Sequence, residues 1–137
     1  MRLWDTGTDG TPKKRTMKTY KFVIHKEIPS LNIYRNWHWA KRKRVSDLYQ
    51  LDILHDKLEY GIKHFPLKKC SIVVKSYRHS LIRDADNRIL KGLLDALVNQ
   101  DIIEDDNENV IGVPKYLQFV DRGNRRTEIY ITREDEI

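Results

Sequence analysis

Four stretches of the chain have the apolar or alternating pattern of β-strands. They cover residues 20–24, 70–77, 116–120 and 127–132. Residues 110–113 also read as extended, with Pro114 as an interruption before the third of these strands. The sequence DRGN at 121–124 predicts a hairpin turn between the last two strands.

Two further stretches have the apolar spacing of helices. The first begins at Ser46, which can cap it, and ends near Gly61 and Pro66. Its apolar positions are Leu48, Leu51, Ile53, Leu54, Leu58 and Ile62. The second follows an entry turn at 84–87, and its buried stripe consists of Ile89, Leu90, Leu93, Leu94, Leu97 and Val98. We therefore predict an α+β fold in the order β-α-β-α-β-β, with two main helices packed on a mixed sheet of about four strands.

The remaining segments are irregular in pattern. Residues 1–17 mix Gly, Thr, Asp and Pro without periodicity, which predicts a flexible N-terminal extension to one domain over residues 18–137. The sequence PSLN at 29–32 breaks the first strand and begins a predicted loop rich in aromatic and basic residues, through residue 44.

Composition narrows the class of protein. A 137-residue chain can bury a core without disulfides or structural metals. Hydrophobic residues make up 39% and charged residues 34%, and no stretch approaches the roughly 20 apolar residues of a membrane span. The single cysteine, Cys70, cannot form an intrachain disulfide, and we expect a cytoplasmic protein.

Charge is unevenly distributed along the chain. The net charge is +6, from 26 Lys and Arg against 20 Asp and Glu. Residues 84–109 hold eight of the acids and only two of the bases, which leaves 24 bases and 12 acids in the remainder. An acidic strip in a basic chain suits a protein that binds phosphates and holds a cation among them, although acids around a helix are also typical of a solvated face.

The acidic strip contains a candidate metal site. Asp84 and Asp86, two residues apart in an extended segment, can address one point in space. Lys91 and Asp95 lie on one face of the following helix, and residues 105–106 supply two more acids after it. We predict that Asp84, Asp86 and one carboxylate of the Asp105-Asp106 pair hold a divalent cation.

Such a set suits phosphodiester hydrolysis. A hard cation such as Mg²⁺ takes carboxylate oxygens, activates a bound water and stabilises the leaving oxygen. A nearby lysine offsets the negative charge that develops in the transition state. The residues thus indicate a metal-dependent DNA endonuclease, while caps and solvated loops remain the ordinary alternative for each acid taken alone.

The segments RDADN at 83–87, KGLLDAL at 91–97 and IIEDD at 102–106 resemble the RusA family of Holliday-junction resolvases. PSLN at 29–32 is similar to an element of that family after its first strand, and the resemblance covers residues 18–133. It implies a homodimeric, Mg²⁺-dependent endonuclease, with Mn²⁺ as a substitute, that nicks four-way DNA junctions in paired fashion during recombination and repair. It also implies a bacterial or phage-encoded protein.

The resemblance assigns roles to particular residues. Asp84 and Asp86 would be metal-binding and catalytic, with Asp106 as the third acid and Asp105 beside it. The family's catalytic lysine falls on Lys91, one residue later than the family spacing, and Arg88 is the alternative for that role.

Basic residues predict the DNA contacts. Cations alternate with Trp37 and Trp39, which could stack on unpaired bases or pack under the helix. The predicted DNA-binding residues are Arg35, Lys41, Arg42, Lys43, Arg44, Arg83 and Arg88. Arg122, Arg125 and Arg126 offer a possible second phosphate contact.

Other functional classes have weaker support. The five histidines lack zinc spacing, Ser30 lacks a nucleophile motif, and no Gly-rich phosphate loop indicates a nucleotide cofactor. Two alternatives to junction resolution remain. One is a non-catalytic module that binds branched DNA, and the other is a less selective metal nuclease that acts on flaps and replication intermediates.

Overall fold

The computed structural model describes residues 18–82 and 90–134, which form a four-stranded sheet with helices on one face. The strands are β1 (Thr19–Ile24), β2 (Cys70–Arg78), β3 (Lys115–Val120) and β4 (Arg126–Arg133). Their order in the sheet is β1-β4-β2-β3. β4 pairs antiparallel with β1 and β2, whereas β2 and β3 are parallel. The predicted α+β fold with a mixed four-stranded sheet is confirmed.

The connection from β3 to β4 is not a hairpin. β2 lies between the two strands, so residues 121–125 cross its C-terminal end, where the Asp121 amide donates to the Arg78 carbonyl at 2.9 Å. The predicted hairpin was wrong because a turn signal specifies a change of direction and leaves the pairing partner open. Five residues suffice to pass over one intervening strand, since neighbouring strands lie about 4.8 Å apart.

The helices are α1 (Leu31–Arg35), α2 (Trp39–Tyr60), α3 (Lys91–Asn99) and α4 (Glu108–Ile111), with a 3₁₀ turn over Ile62–His64. α2 begins seven residues before the predicted cap at Ser46. His38 caps it instead, and the His38 Nδ1 accepts from the Ala40 amide at 3.2 Å. The predicted loop through residue 44 was therefore wrong at its end, because Ala, Lys and Arg are strong helix formers.

The apolar residues that predicted α2 do not form its buried face. Of those six, only Ile53 is fully buried, together with Tyr49 and Lys57 on the same face, and Leu51 is 61% exposed. The Lys57 amine donates to the Gln100 carbonyl at 2.7 Å and so joins α2 to the end of α3. None of the helices in the described part of the chain is long and apolar enough to cross a membrane.

The core lies between the helices and one face of the sheet. α3 contributes Leu93 and Leu97 of its predicted stripe, together with Ala96, which the stripe did not include. Leu90, Leu94 and Val98 of the stripe are only partly buried, and Ile89 lies outside the described residues. The sheet contributes alternate residues of β1, β2 and β4, which are Tyr20, Phe22, Ile24, Ile72, Val74, Ile129 and Ile131, and Tyr116 of β3 is partly buried against them. Residues 110–113, predicted as extended, begin inside the short helix α4, whose Val110 amide donates to the capping Asn107 Oδ1 at 3.1 Å.

The chain reverses sharply after α3. Asp101 has a left-handed φ of 56°, the Ile102 amide donates to the Leu97 carbonyl at 2.9 Å, and the Asp101 amide donates to Val98 at 3.0 Å. These two bonds form a Schellman motif. Beyond it, Ile103 pairs with Leu67 through bonds from the Leu67 and Glu104 amides at 2.9 and 3.0 Å. The motif and this pairing send residues 102–106 back toward the start of α3.

We predict that this turn tolerates glycine but not a β-branched residue. Left-handed backbone costs an L-residue about 1–2 kcal/mol, and aspartate is among those that adopt it most readily. Asp101 is exposed, so a substitution there disturbs no packing. Asp101→Val should lower the free energy of unfolding in urea by about 1–2 kcal/mol, whereas Asp101→Gly should not lower it. Equal losses in both variants would show that the backbone conformation is not what matters.

Candidate active site and basic groove

Lys91 stands at the first turn of α3 between two carboxylates. Its Nζ lies 2.9 Å from the Asp95 Oδ1, one turn further along the helix, and 3.5 Å from the Asp106 Oδ2. The first contact follows from the i, i+4 spacing. The second depends on the reversal after α3, because Asp106 is fifteen residues away in sequence.

The neighbouring acids differ in their availability. Both oxygens of Asp105 accept hydrogen bonds within the turn, one from the Asp106 amide at 2.7 Å and one from the Asn107 side chain at 3.0 Å. Among the residues that the structure describes, the Asp106 carboxylate has only Lys91 as a polar partner. Asp105 therefore shapes the turn, and Asp106 is the acid that can take a further ligand.

The lysine is held in its charged form. The hydrogen bond to Asp95, followed by the charges of Asp95 and Asp106, raises the pKa of the Lys91 amine above its usual value. The Lys91 side chain is 75% exposed. It can neutralise the two carboxylates or the oxygens of a phosphate, and it is unsuited to act as a base at neutral pH.

The remainder of the predicted acidic set lies outside the described residues. This applies to Asp84 and Asp86, and also to the predicted DNA contacts Arg83 and Arg88. Leu90, the residue before Lys91, is half-buried and packs on the core. In the sequence, the segment that carries Asp84 and Asp86 comes directly before Leu90.

A second group of candidate metal ligands was not predicted from the sequence. His55, Asp56 and Glu59 on α2 each offer one ligand atom, and these atoms lie within 4.8 Å of one another. The Asp56 Oδ2 is already used, since it accepts from the Val23 amide at 2.8 Å and ties α2 to β1. The hydrogen bond to Asp56 raises the pKa of the His55 imidazole. These bonds give Asp56 a structural role without a metal.

A basic groove of about 610 Å³ lies at the end of the sheet where β1 and β2 terminate. Three segments line it, from the loop after β1, the start of α2, and the crossover from β3 to β4. Its cationic residues are Lys26, Lys41, Arg122 and Arg125, with His25 beside them. Trp37 lines the groove, and the Lys41 ammonium lies 4.7 Å from its ring.

An ion-pair network fixes the shape of the groove. The Glu27 carboxylate lies 3.4 Å from the buried Arg78 guanidinium and 3.3 Å from Arg125. Arg78 also donates to the carbonyls of Ser80 and Ile28. One carboxylate therefore joins the loop after β1, the end of β2 and the crossover, with two cations to satisfy it.

The predicted DNA-binding residues of the α1–α2 region differ in whether they are exposed or already bound within the protein. Lys41 lines the groove, and Arg35 and Arg44 are exposed. Arg42 is half-buried, donates to the Tyr34 and Arg35 carbonyls at 3.1 and 3.3 Å, and stacks on the Tyr34 ring. Lys43 lies 3.4 Å from Asp47. Arg42 thus holds α1 against α2, a use that the sequence did not predict.

The groove and the Lys91 site are neighbours. Trp37 and Val45 line the groove and also a small cavity that contacts Tyr49 and Gly92. Gly92 follows Lys91 directly, so the side chains of the α1–α2 corner connect the two regions.

Comparison of the chain with protein-family models found no match, and comparison with curated proteins found none.

We predict that the pKa of Lys91 depends on both of its carboxylate partners. Asp95→Asn should lower it more than Asp106→Asn, because the contact with Asp95 is shorter and carries the hydrogen bond. A titration of ¹³C-dimethylated lysines by NMR would measure both shifts. The exposed Lys63 serves as the internal reference. A Lys91 signal that does not move in Asp106→Asn would contradict the contact across the turn.

Proposed function

We propose that the protein is a metal-dependent endodeoxyribonuclease of the RusA type that resolves four-way DNA junctions. The observation that carries the proposal is the contact of Lys91 with Asp106 at 3.5 Å, alongside its contact with Asp95. It brings two separated parts of the junction-resolvase motif, KGLLDAL and IIEDD, to one place.

The donor set suits Mg²⁺, with Mn²⁺ as a substitute. All of the acids concerned offer hard oxygen ligands, which these cations prefer. Asp84, Asp86 and Asp106 would hold the ion, and Asp105 would support Asp106 through the turn. When bound, such an ion supplies an activated water and a Lewis acid for phosphodiester hydrolysis.

Lys91 and Asp95 have separate tasks in this proposal. Asp95 keeps the lysine charged and oriented through the 2.9 Å contact. The ammonium group then offsets charge on the phosphate oxygens as it increases during the reaction. Arg88, which lies outside the described residues, is the alternative candidate for this role on sequence grounds alone.

The basic groove would hold the DNA backbone. Its four Lys and Arg residues come from three segments. Glu27 is the one acid among the described residues that line the groove, and it is paired with Arg78 and Arg125. Phosphate contacts of this kind provide most of the affinity of a DNA-binding protein and make it fall with salt. Paired nicks across a junction require two active sites, hence the proposed homodimer. We place this activity in the cytoplasm, where the lone buried Cys70 stays reduced.

We predict that Asp106→Asn abolishes cleavage of a synthetic four-way junction in Mg²⁺ but leaves junction binding intact, because the DNA contacts lie elsewhere. Gel analysis of cleavage, with binding measured in EDTA, gives both readouts. The control is Asp101→Asn, which removes an acid from the far end of α3 at a left-handed position that asparagine tolerates.

Three outcomes would count against this function. Normal cleavage by Asp106→Asn would show that Asp106 is not needed as a metal ligand. Binding without cleavage in Mg²⁺ and Mn²⁺ would indicate a non-catalytic branched-DNA module. Equal cleavage of junctions, flaps and linear duplex would indicate a less selective nuclease.

We also predict that Lys41→Ala and Arg122→Ala weaken junction binding and reduce its salt dependence. Each phosphate contact that is lost should lower the slope of log K against log salt by about one. Fluorescence anisotropy in EDTA at several salt concentrations would measure it. Lys63→Ala, an exposed lysine at the opposite end of α2, should leave the slope unchanged. Equal slopes in all variants would show that the groove does not contact the DNA phosphates.

A further inference from the structure

The face of the sheet opposite the core carries an ordered set of rings and cations. Residues that alternate with the core positions point to this side of each strand. They include Lys21, Val73, Lys75, Tyr77, Lys115, Leu117, Phe119, Arg126, Glu128 and Tyr130. Among the described residues, the helices and the hydrophobic core lie on the other side of the sheet.

Three planar groups form a stack across this face. Arg126, Tyr77 and Phe119 occupy facing positions on β4, β2 and β3. The guanidinium carbon of Arg126 lies 3.9 Å from the Tyr77 ring centroid, and the Tyr77 and Phe119 rings are stacked with centroids 5.1 Å apart and planes 22° apart. β3 is one of the two edge strands of the sheet, so Phe119, which is 42% exposed, forms the outer end of the stack.

Polar contacts hold the inner end of the stack rigidly. Arg126 lies 2.8 Å from the buried Glu128 and 3.1 Å from Asp121. Glu128 also accepts from the Tyr130 hydroxyl at 2.6 Å. Burial favours the neutral acid, but the hydrogen bonds from Tyr130 and Arg126 outweigh it, so the pKa of Glu128 lies below its usual value. The ionised network therefore fixes the guanidinium plane against Tyr77.

The charges around the stack favour an anionic ligand. Lys21 and Lys75 lie 5.7 and 4.9 Å from the Tyr130 ring, and Lys115 is exposed on the edge strand. With Arg126, four cations on this face oppose the two carboxylates of Glu128 and Asp121, and both of those are already paired with Arg126. Lys21 also lies 3.7 Å from the Glu128 Oε2, whereas Lys75 and Lys115 have no carboxylate partner among the described residues and can meet external negative charge.

We infer that this face binds single-stranded nucleic acid, with an unpaired base stacked on Phe119 as the next plane and the phosphates near Lys75 and Lys115. Aromatic side chains on a sheet accept bases of any sequence, and lysines neutralise the backbone. A duplex keeps its bases stacked inside and gains nothing from an added plane. The inference rests on the proposed function only for the ligand being DNA, as unpaired bases at a junction crossover. The remainder of the inference, that a single strand binds to this face, is supported by the ring stack and the exposed cations.

The test compares two neighbouring residues of the same strand. Phe119 and Leu117 point to the same face and are 42% and 40% exposed, but only Phe119 has a ring. The probes are a fluorescein-labelled 12-nucleotide oligothymidylate and a blunt duplex of equal length. Fluorescence anisotropy with the full chain in EDTA excludes cleavage, so a failed metal site would leave this measurement unaffected.

Phe119→Ala should weaken binding of the oligothymidylate about tenfold, in keeping with the usual loss of one base–aromatic stack. Binding of the duplex should change less than twofold. Leu117→Ala should change neither, and Phe119→Trp should retain strand binding, which separates stacking from any loss of folding in the alanine variant. Unchanged strand binding in Phe119→Ala would overturn the inference. Equal losses in Phe119→Ala and Leu117→Ala would overturn it too, and would indicate an apolar surface for a protein partner.

Discussion

The reversal of the chain at the end of α3 is the constraint on which the candidate active site depends. The left-handed Asp101 and the bond from Ile102 to Leu97 end the helix, and Ile102 and Ile103 then enter the core. Because Ile102 and Ile103 are buried, the direction of the chain through residues 104–106 is fixed. The pairing of Ile103 with Leu67 fixes that path further, and Asp106 consequently arrives beside Lys91. The polar site is thus positioned by apolar packing at the other end of the same helix.

A different kind of constraint shapes the groove. Glu27 and Arg78 form a largely buried ion pair, and Arg125 completes it from the crossover. Such a pair contributes little net stability, but the loss of one partner leaves an uncompensated charge, so it specifies one arrangement strongly. In this protein the Glu27 network fixes the positions of the loop after β1, the end of β2 and the crossover. Lys26, Lys41 and Arg122 line the groove outside this network. Among the described residues that line the groove, the acid Glu27 thus ties together the segments that carry its cations.

The local pattern of apolar and polar residues predicted the helices and strands of this fold better than it predicted how they pair and pack. The stripe of α3 and the alternation of β2 and β4 report burial directly, and all three were found within two residues of their predicted bounds. The predicted start of α2 was wrong because the aromatic and basic residues before Ser46 lack the apolar spacing of a helix. The insertion of β2 between β3 and β4 depends on contacts distant in sequence, which no local turn reveals. The same holds for the groove, whose lining spans residues 25–125.

The candidate site shows the same division. The contact of Lys91 with Asp95 follows from helical spacing, whereas only the family resemblance singled out Asp106. The structure adds a physical reason to prefer Asp106, since both oxygens of Asp105 are used within the turn. It also separates the two partners of the lysine. The contact with Asp95 measures 2.9 Å and that with Asp106 measures 3.5 Å. In the proposed site, Asp95 would position the lysine, and Asp106 would be the acid that binds the cation.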